Sequence, residues 1–99
     1  MEWVSIKPVY KDGRLKPSRE QLVYSRLTKA GFYLEQMHRD NTLDTVESFY
    51  FHPSRYIQVH EVCAAGQGIA NFYLFLPGGS TAYASGVNEL EVKLQQLGL

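Results

Sequence analysis

The 99-residue chain contains a single cysteine, Cys63, and no long apolar run. One cysteine excludes a disulfide within the chain and a metal site built from several thiolates. The apolar sequence around Cys63 is typical of a small buried side chain and lacks the basic neighbours of a reactive thiol. No apolar run approaches the ~20 residues that span a membrane, and Met1-Glu2-Trp3 does not begin the charged-then-apolar pattern of a leader peptide. We therefore expect a soluble, cytoplasmic protein with no membrane partner.

The chain also lacks an excess of charge of either sign, because ten Lys and Arg residues balance ten Asp and Glu residues. Duplex nucleic-acid binders gain most of their affinity from cations that face phosphates. The balance therefore disfavours nucleic acid as the partner, although a local basic patch stays open. The hydrophobic fraction of 44% is ordinary for a folded protein and argues against disorder. A length of 99 residues suits one domain, so we expect a single domain over residues 1–99.

Aromatic residues are abundant, at 13% of the chain, and seven of them are Tyr. Tyr joins a large apolar ring to a polar tip, which suits half-exposed sheet faces and interfaces. The stretch over residues 45–76 is the longest apolar and aromatic pattern in the chain, and it predicts three strands. These strands are Val46–Phe51, Tyr56–Cys63 and Ile69–Leu76. The first two are joined by His52-Pro53-Ser54-Arg55, which has Pro where a type I turn prefers it.

Alternation within the predicted strand Tyr56–Cys63 assigns its two faces. The face expected to point at the core carries Ile57, Val59, Glu61 and Cys63. The opposite face carries Tyr56, Gln58, His60 and Val62. Because this second set mixes polar and aromatic side chains, we expect it to face water or an interface.

The N-terminal third predicts a strand and a helix. Alternation favours a strand over Trp3–Tyr10, and Asp12-Gly13 fits a hairpin turn after it. A helix is expected over residues 19–30, because Ser18 and the Gln three residues later form a capping box. Gly31 follows as the left-handed residue that ends a helix.

A further strand is predicted over Phe32–Arg39, in which strict alternation puts Leu34 and Met37 on opposite faces. The small polar residues 81–86 fit either a short edge strand or a loop. Residues 87–97 fit both helical and strand spacing. We favour a helix there, because Asn88 can cap it and Gly98 can end it.

The order of these elements is β-α-β-β-β-β-α. Short connections make neighbouring strands pair antiparallel. The predicted fold is therefore a two-layer α+β sandwich, with an antiparallel sheet of four or five strands and two helices on one face. Two helices can cover only one face of such a sheet. The other face must be solvated or shared with a partner.

The candidate binding residues cluster around the predicted turn and the uncovered face. They are Tyr50, His52, Arg55, Tyr56, Gln58 and His60. His52, His60 and Glu61 include metal-ligating groups, but His60 and Glu61 point to opposite faces of one strand. We therefore predict no metal site, no cofactor and no catalytic residue.

The helix, three-strand, helix order is loosely similar to that of small mRNA-interferase toxins with a double-stranded-RNA-binding fold. The residues behind this resemblance are Gly31-Phe32-Tyr33, His52-Pro53, Ile57-Gln58-Val59-His60 and Leu97-Gly98-Leu99. The active His of that family follows a Gly-Ser pair on the turn between its first two strands, where this chain has Asp40-Asn41-Thr42. The strand Ile69–Leu76 also departs from the family's pattern. The resemblance assigns no family and no catalytic residue.

Two functions follow as hypotheses. The first is a non-enzymatic protein-interaction module, expected to form a homodimer or higher oligomer through an aromatic-rich sheet face or edge. The alternative is an RNA-binding protein or weak ribonuclease that uses His52, Arg55, Tyr56 and His60. That alternative needs a local basic surface, for which the Lys and Arg residues of the N-terminal quarter are the candidates.

Overall fold

The computed structural model describes residues 9–11, 14–16, 19–64 and 70–99, with side chains from residue 21 onward. Several features predicted from the sequence fall outside this part of the chain. They are most of the strand over Trp3–Tyr10, the turn at Asp12-Gly13, the Ser18 cap and the loop that joins the second and third strands of the stretch over residues 45–76.

The described residues form two helices and seven strands. Strands β1 (Val9–Lys11) and β2 (Arg14–Lys16) pair with each other and precede helix α1 (Arg19–Lys29). The main sheet follows as β3 (Tyr33–Asp40), β4 (Thr45–His52), β5 (Ile57–Ala64), β6 (Ala70–Phe75) and β7 (Thr81–Ser85), and helix α2 (Val87–Gln96) comes last. The five strands pair antiparallel in the order β3-β4-β5-β6-β7. The predicted α+β sandwich is confirmed.

The predicted order β-α-β-β-β-β-α is wrong in two places. The first described strand, β1, pairs with β2 in a separate two-stranded sheet. The fifth strand of the main sheet is β7, which pairs with β6 over its whole length. Its sequence, Thr-Ala-Tyr-Ala-Ser, has few of the β-branched and aromatic residues that signal a strand. Strand β7 forms because it pairs with β6, and its own composition does not predict it.

Helix α1 packs on the sheet through Val23 and Leu27, both fully buried. It ends as predicted, because Gly31 has a φ of 106° and the Phe32 N–H donates to the Leu27 carbonyl at 2.9 Å. This left-handed residue satisfies carbonyls that the last turn leaves free. Leu22 lies beside the buried face and is half exposed.

Helix α2 confirms the helical interpretation of residues 87–97. Leu90 and Leu94 are buried against the sheet, and Gly98, with a φ of 76°, ends the helix. The predicted cap is wrong, because Gly86 is the N-cap residue and makes no side-chain cap bond. Neither helix of the described chain is long and apolar enough to cross a membrane.

The core lies between the sheet and the two helices. Tyr50, Val59, Phe72 and Leu74 are buried there, with the apolar side chains of both helices. Both helices therefore cover the same face, as predicted. Along β5 the burial alternates strictly, so the assignment of Ile57 and its alternate neighbours to the core is correct.

The β3 strand departs from simple alternation. Its register with β4 shifts by one residue between Leu34 and Gln36, which marks a bulge. Because a bulge inserts one extra residue, it reverses the faces on its far side. Leu34 pairs with Tyr50 and Met37 pairs with Ser48, so both point at the core rather than to opposite faces.

Candidate interaction surface

The sheet has one face without a helix, here called the open face. Its members are the residues that alternate with the buried ones, and register places them in rows across the strands. The aromatic members are Tyr33, Phe49, Phe51, His60, Tyr73, Phe75 and Tyr83. Tyr33, Tyr73, Phe75 and Tyr83 are among the most exposed large apolar side chains of the described chain.

Four of these rings form a continuous row over β4, β5, β6 and β7, here called the aromatic strip. Phe49 stacks on His60 with ring centroids 4.3 Å apart and planes 12° apart. Tyr73 follows at 6.0 Å from His60, and Tyr83 at 5.3 Å from Tyr73. The Tyr83 hydroxyl donates to Asn71 Oδ1 at 2.9 Å. Ring spacings in this range are those of favourable aromatic pairs, so the strip is a preformed surface.

A second aromatic group lies at the end of the face next to the β4–β5 turn. Phe51 meets Tyr33 edge-on at 6.0 Å and Tyr56 edge-on at 6.3 Å. Tyr56 lies in this turn with a positive φ of 53°, and it is 70% exposed. The turn therefore holds a large apolar ring in solvent beside the open face.

The charged groups on the open face are few, and they are carboxylates. Glu47 accepts a hydrogen bond from His60 Nε2 at 3.2 Å and lies 3.8 Å from His38 Nδ1. Asp40 is the second carboxylate on this face, in the last position of β3. No Lys or Arg belongs to the face in the part of the chain that the structure describes. Among the same residues no group of His, Cys, Asp and Glu is arranged to hold a metal ion.

The structure does not bring the six predicted binding residues together. Gln58 and His60 lie on the open face, and Tyr56 lies at its end. Tyr50 and His52 point to the opposite, helix-covered face, so their placement with the others is wrong. Tyr50 is only 1% exposed and packs in the core. Its burial, followed by the nearby Glu61 and Tyr24, raises the pKa of the Tyr50 phenol above its ordinary value.

His52 and Arg55 have structural contacts instead. The His52 ring is buried and meets Phe32 edge-on at 5.1 Å. Its Nε2 atom lies 3.0 Å from the Ala30 carbonyl oxygen, and its Nδ1 accepts from the Arg55 N–H at 3.1 Å. The Arg55 guanidinium donates to the Leu97 carbonyl at 2.6 Å, which ties the turn to the end of α2.

Six aromatic residues of the open face are absent from the predicted binding residues: Tyr33, Phe49, Phe51, Tyr73, Phe75 and Tyr83. The signal that could have found Phe49 and Phe51 is the length of the β4–β5 turn. Tyr56 belongs to this turn, and the strands pair from His52 and Ile57 onward. With that register Phe49 pairs with His60 and Phe51 pairs with Gln58, so alternation places both rings on the open face. If β5 is taken to start at Tyr56, the residues of β4 that share a face with Gln58 and His60 cannot be identified.

A small apolar pocket lies between the helices, with a volume of about 270 Å³. Leu22, Val87 and Leu90 line it, and Arg26 and Glu91 stand beside it in an ion pair of 2.6 Å. Pockets that hold drug-sized ligands are about 300–1,000 Å³, so this one lies just below that range. The open face is the more extensive surface feature.

The site and the fold together define a class: a small two-layer α+β domain with an aromatic open face. Comparison with known proteins adds nothing to that class, because no protein-family model, curated protein or solved structure matches the chain.

Proposed function

We propose that this protein is a non-enzymatic interaction module that self-associates, with the open face of one copy packed on that of another. The observation that carries the proposal is the aromatic strip, flanked by further exposed rings and free of Lys and Arg among the described residues. Large exposed apolar patches are uncommon on monomers and usually mark partner sites. Tyr and Phe are also enriched where proteins meet.

The size of the face suits a second copy. Five strands spaced about 4.8 Å apart, with roughly six residues each at ~3.4 Å, give a face on the order of 500 Å². Two such faces bury about 1,000 Å², which reaches the lower bound for a specific interface. Two sheets packed face to face also reproduce the arrangement of a β-sandwich core.

The few charges on the face leave room for a second copy. Glu47 is hydrogen-bonded to His60 and close to His38, so stacking does not bury a carboxylate without a hydrogen-bond donor beside the strip. The chain carries a net charge of zero, and copies therefore have little long-range repulsion.

RNA binding is supported less well. Aromatic sheet faces can stack single-stranded bases, but such sites combine stacking with cations that track the phosphates. The open face offers none among the described residues. The residues proposed for RNA chemistry also lie on different faces of the sheet, because His52 faces the helices and His60 lies on the open face.

The test compares Phe75→Glu with Val92→Glu by light scattering over a range of protein concentrations. Phe75 is 41% exposed on the open face, and Val92 is 50% exposed on α2. Both variants add one negative charge at an exposed apolar site. We expect the unmodified protein and Val92→Glu to associate, and Phe75→Glu to associate at least tenfold more weakly.

Circular dichroism checks that both variants fold. A monomeric unmodified protein at high concentration, or equal association of the two variants, overturns the proposal. A gel shift at low salt with single-stranded and duplex RNA covers the alternative. Binding at micromolar protein that is lost in Phe75→Glu would reassign the face to RNA.

A further inference from the structure

Strand β7 is one edge of the main sheet, and its outer backbone groups can be identified. The Leu76 N–H donates to the Ser80 carbonyl and the Gly86 N–H donates to the Ala70 carbonyl, each at 2.8 Å. Alternate residues of an antiparallel strand bond to the same neighbour. Ala82 and Ala84 therefore also bond to β6. The N–H and C=O groups of Thr81, Tyr83 and Ser85 point away from the sheet.

The two edges of the sheet differ in how they are protected. Edge strands are commonly blunted by charges, bulges or proline. At the β3 edge the bulge lies between Leu34 and Gln36, and the strand carries Glu35 and Arg39. Strand β7 itself has no charged residue, no proline and no register shift over Thr81–Ser85, and the Glu89 carboxylate of α2 contacts only its last residue. No described strand other than β6 pairs with it.

We propose that β7 pairs antiparallel with β7 of a second copy, centred on Tyr83. The edge is self-complementary in this register. Tyr83 lies opposite its own counterpart, and Thr81 lies opposite Ser85 of the second copy. Each residue whose backbone N–H and C=O point outward then lies opposite another such residue, as a two-fold interface requires. A shift by one residue would place inward-bonding Ala82 or Ala84 opposite Tyr83 and would break this match.

One of the outward groups already has a partner. The Ser85 N–H donates to Glu89 Oε2 at 2.6 Å. The two Tyr83 residues can still exchange both of their bonds. Two bonds between the copies therefore form with Glu89 in place, and the bonds between Thr81 and Ser85 form once the exposed Glu89 side chain rotates away.

The pairing extends a feature that the single chain already has. A two-fold axis perpendicular to the sheet keeps both open faces on the same side. The aromatic strip then continues from Tyr83 of one copy to Tyr83 of the other, and its length doubles. The joined sheet has twice the five strands of one chain, and both exposed β7 edges are removed.

This edge contact is separate from the face-to-face contact of the proposed function, because it uses backbone groups rather than open-face side chains. Either contact can exist without the other. An assembly that used both would contain more than two copies.

Site-specific disulfide formation tests the register. Residues paired by hydrogen bonds across an antiparallel ladder have Cα atoms about 5.5 Å apart, within the range of about 4.4–6.8 Å that a disulfide spans. Tyr83→Cys should therefore form a covalent dimer under mild oxidation. Thr81→Cys alone should not, because two copies of residue 81 lie about four residues apart along the strands, roughly 14 Å. A mixture of Thr81→Cys and Ser85→Cys should form the mixed dimer.

The unmodified protein is the control for Cys63, which is buried. Each cysteine variant is also made with Phe75→Glu, which disrupts the face contact. We expect the same disulfides in that background. Tyr83→Cys dimers that disappear with Phe75→Glu would assign them to the face contact and overturn the edge pairing. Equal dimer formation by Thr81→Cys alone, or none by Tyr83→Cys, would also overturn it.

A second measurement distinguishes the contribution of the Tyr83 backbone to dimer affinity from that of the Tyr83 ring. Tyr83→Pro removes the outward N–H and leaves the bonds to β6 intact, whereas Tyr83→Val removes the ring and keeps the N–H. With both made in the Phe75→Glu background, the dimer dissociation constant should rise about tenfold more for Pro than for Val, since two hydrogen bonds are lost. Equal dissociation constants for two folded variants would exclude backbone pairing at this edge.

Discussion

His52 Nε2 lies 3.0 Å from the carbonyl oxygen of Ala30, and this contact joins the end of α1 to the β4–β5 turn. The other ring nitrogen accepts the Arg55 N–H at 3.1 Å, so it carries no proton. The proton therefore sits on Nε2, which donates to Ala30. The neutral His52 ring thus bonds to the carbonyl of Ala30, 22 residues earlier in the chain, and to the amide of Arg55, three residues later.

Gly31 makes this contact possible, and its replacement should be costly. A Cβ atom at Gly31 would lie 2.6 Å from His52 Nε2, and the φ of 106° is strained for any L side chain. Gly31→Ala should lower the free energy of unfolding by about 3 kcal/mol, of which about 1 kcal/mol is backbone strain. Denaturant titration measures the loss.

The matched control for this prediction is Gly98→Ala. Gly98 also has a positive φ, of 76°, but nothing lies within 4 Å of an added Cβ. It should lose only the strain of about 1 kcal/mol. Equal losses for the two variants would mean that the His52 ring moves aside freely.

Tyr50 should make the fold sensitive to alkali. Burial, followed by Glu61 and Tyr24, raises the pKa of its phenol, so the folded protein holds the proton more tightly than the unfolded chain. This contribution to stability is complete below the unfolded pKa of about 10 and is lost as pH rises through the folded pKa. Above about pH 10 the free energy of unfolding should fall by roughly 1.4 kcal/mol per pH unit.

Tyr50→Phe removes that dependence, and Tyr33→Phe is its control because Tyr33 is exposed. Urea titrations at several pH values between 9 and about 11 compare the three proteins. Tyr50→Phe should lose less stability over this range than the other two. The same slope in all three proteins would contradict the assignment of the alkaline sensitivity to Tyr50.

Glu89 should restrain association through the β7 edge. Its carboxylate holds the Ser85 N–H at 2.6 Å, and replacing it with Ala frees an edge donor and removes a charge. Glu89→Ala in the Phe75→Glu background should dimerise about tenfold more tightly, because the Thr81–Ser85 bonds then form without displacing a carboxylate. Its folding stability should drop by about 0.5 kcal/mol, since an acid in the first turn of a helix is favourable.

Glu89→Gln keeps an acceptor for Ser85 without the charge and should fall between the two proteins. Sedimentation equilibrium measures the dissociation constants. Weaker dimers for Glu89→Ala than for its parent would show that the carboxylate supports the edge contact rather than limiting it.

Periodicity predicted most of this fold because each element has a local signal. The apolar spacing of α1 and the glycine after it are both interpretable without tertiary contacts. Strand β7 and the hairpin β1–β2 have weak sequence patterns of their own, and they form strands because they pair with a neighbouring strand. The cap of α2 differs from the prediction because the helix follows β7 directly, with Gly86 as its N-cap residue.

The candidate site was predicted less well because faces depend on phase. One residue of turn length reverses every side chain of a strand. Tyr56 belongs to the turn rather than to β5, and the β3 bulge introduces a second reversal. Gln58 and His60 were placed correctly because they lie within the strand whose alternation was strict. Tyr50 and His52 lie across the turn, where the phase was not determined.

The order of strands in the sheet has a consequence for how the chain folds. Every strand of β3-β4-β5-β6-β7 pairs with its neighbour in sequence, so each hairpin can form without closing a long loop. The helices meet through Arg26 and Glu91, which are 65 residues apart. We therefore expect the meander to structure the folding transition state. The contact between α1 and α2 should form after it, with low φ-values at the helix interface.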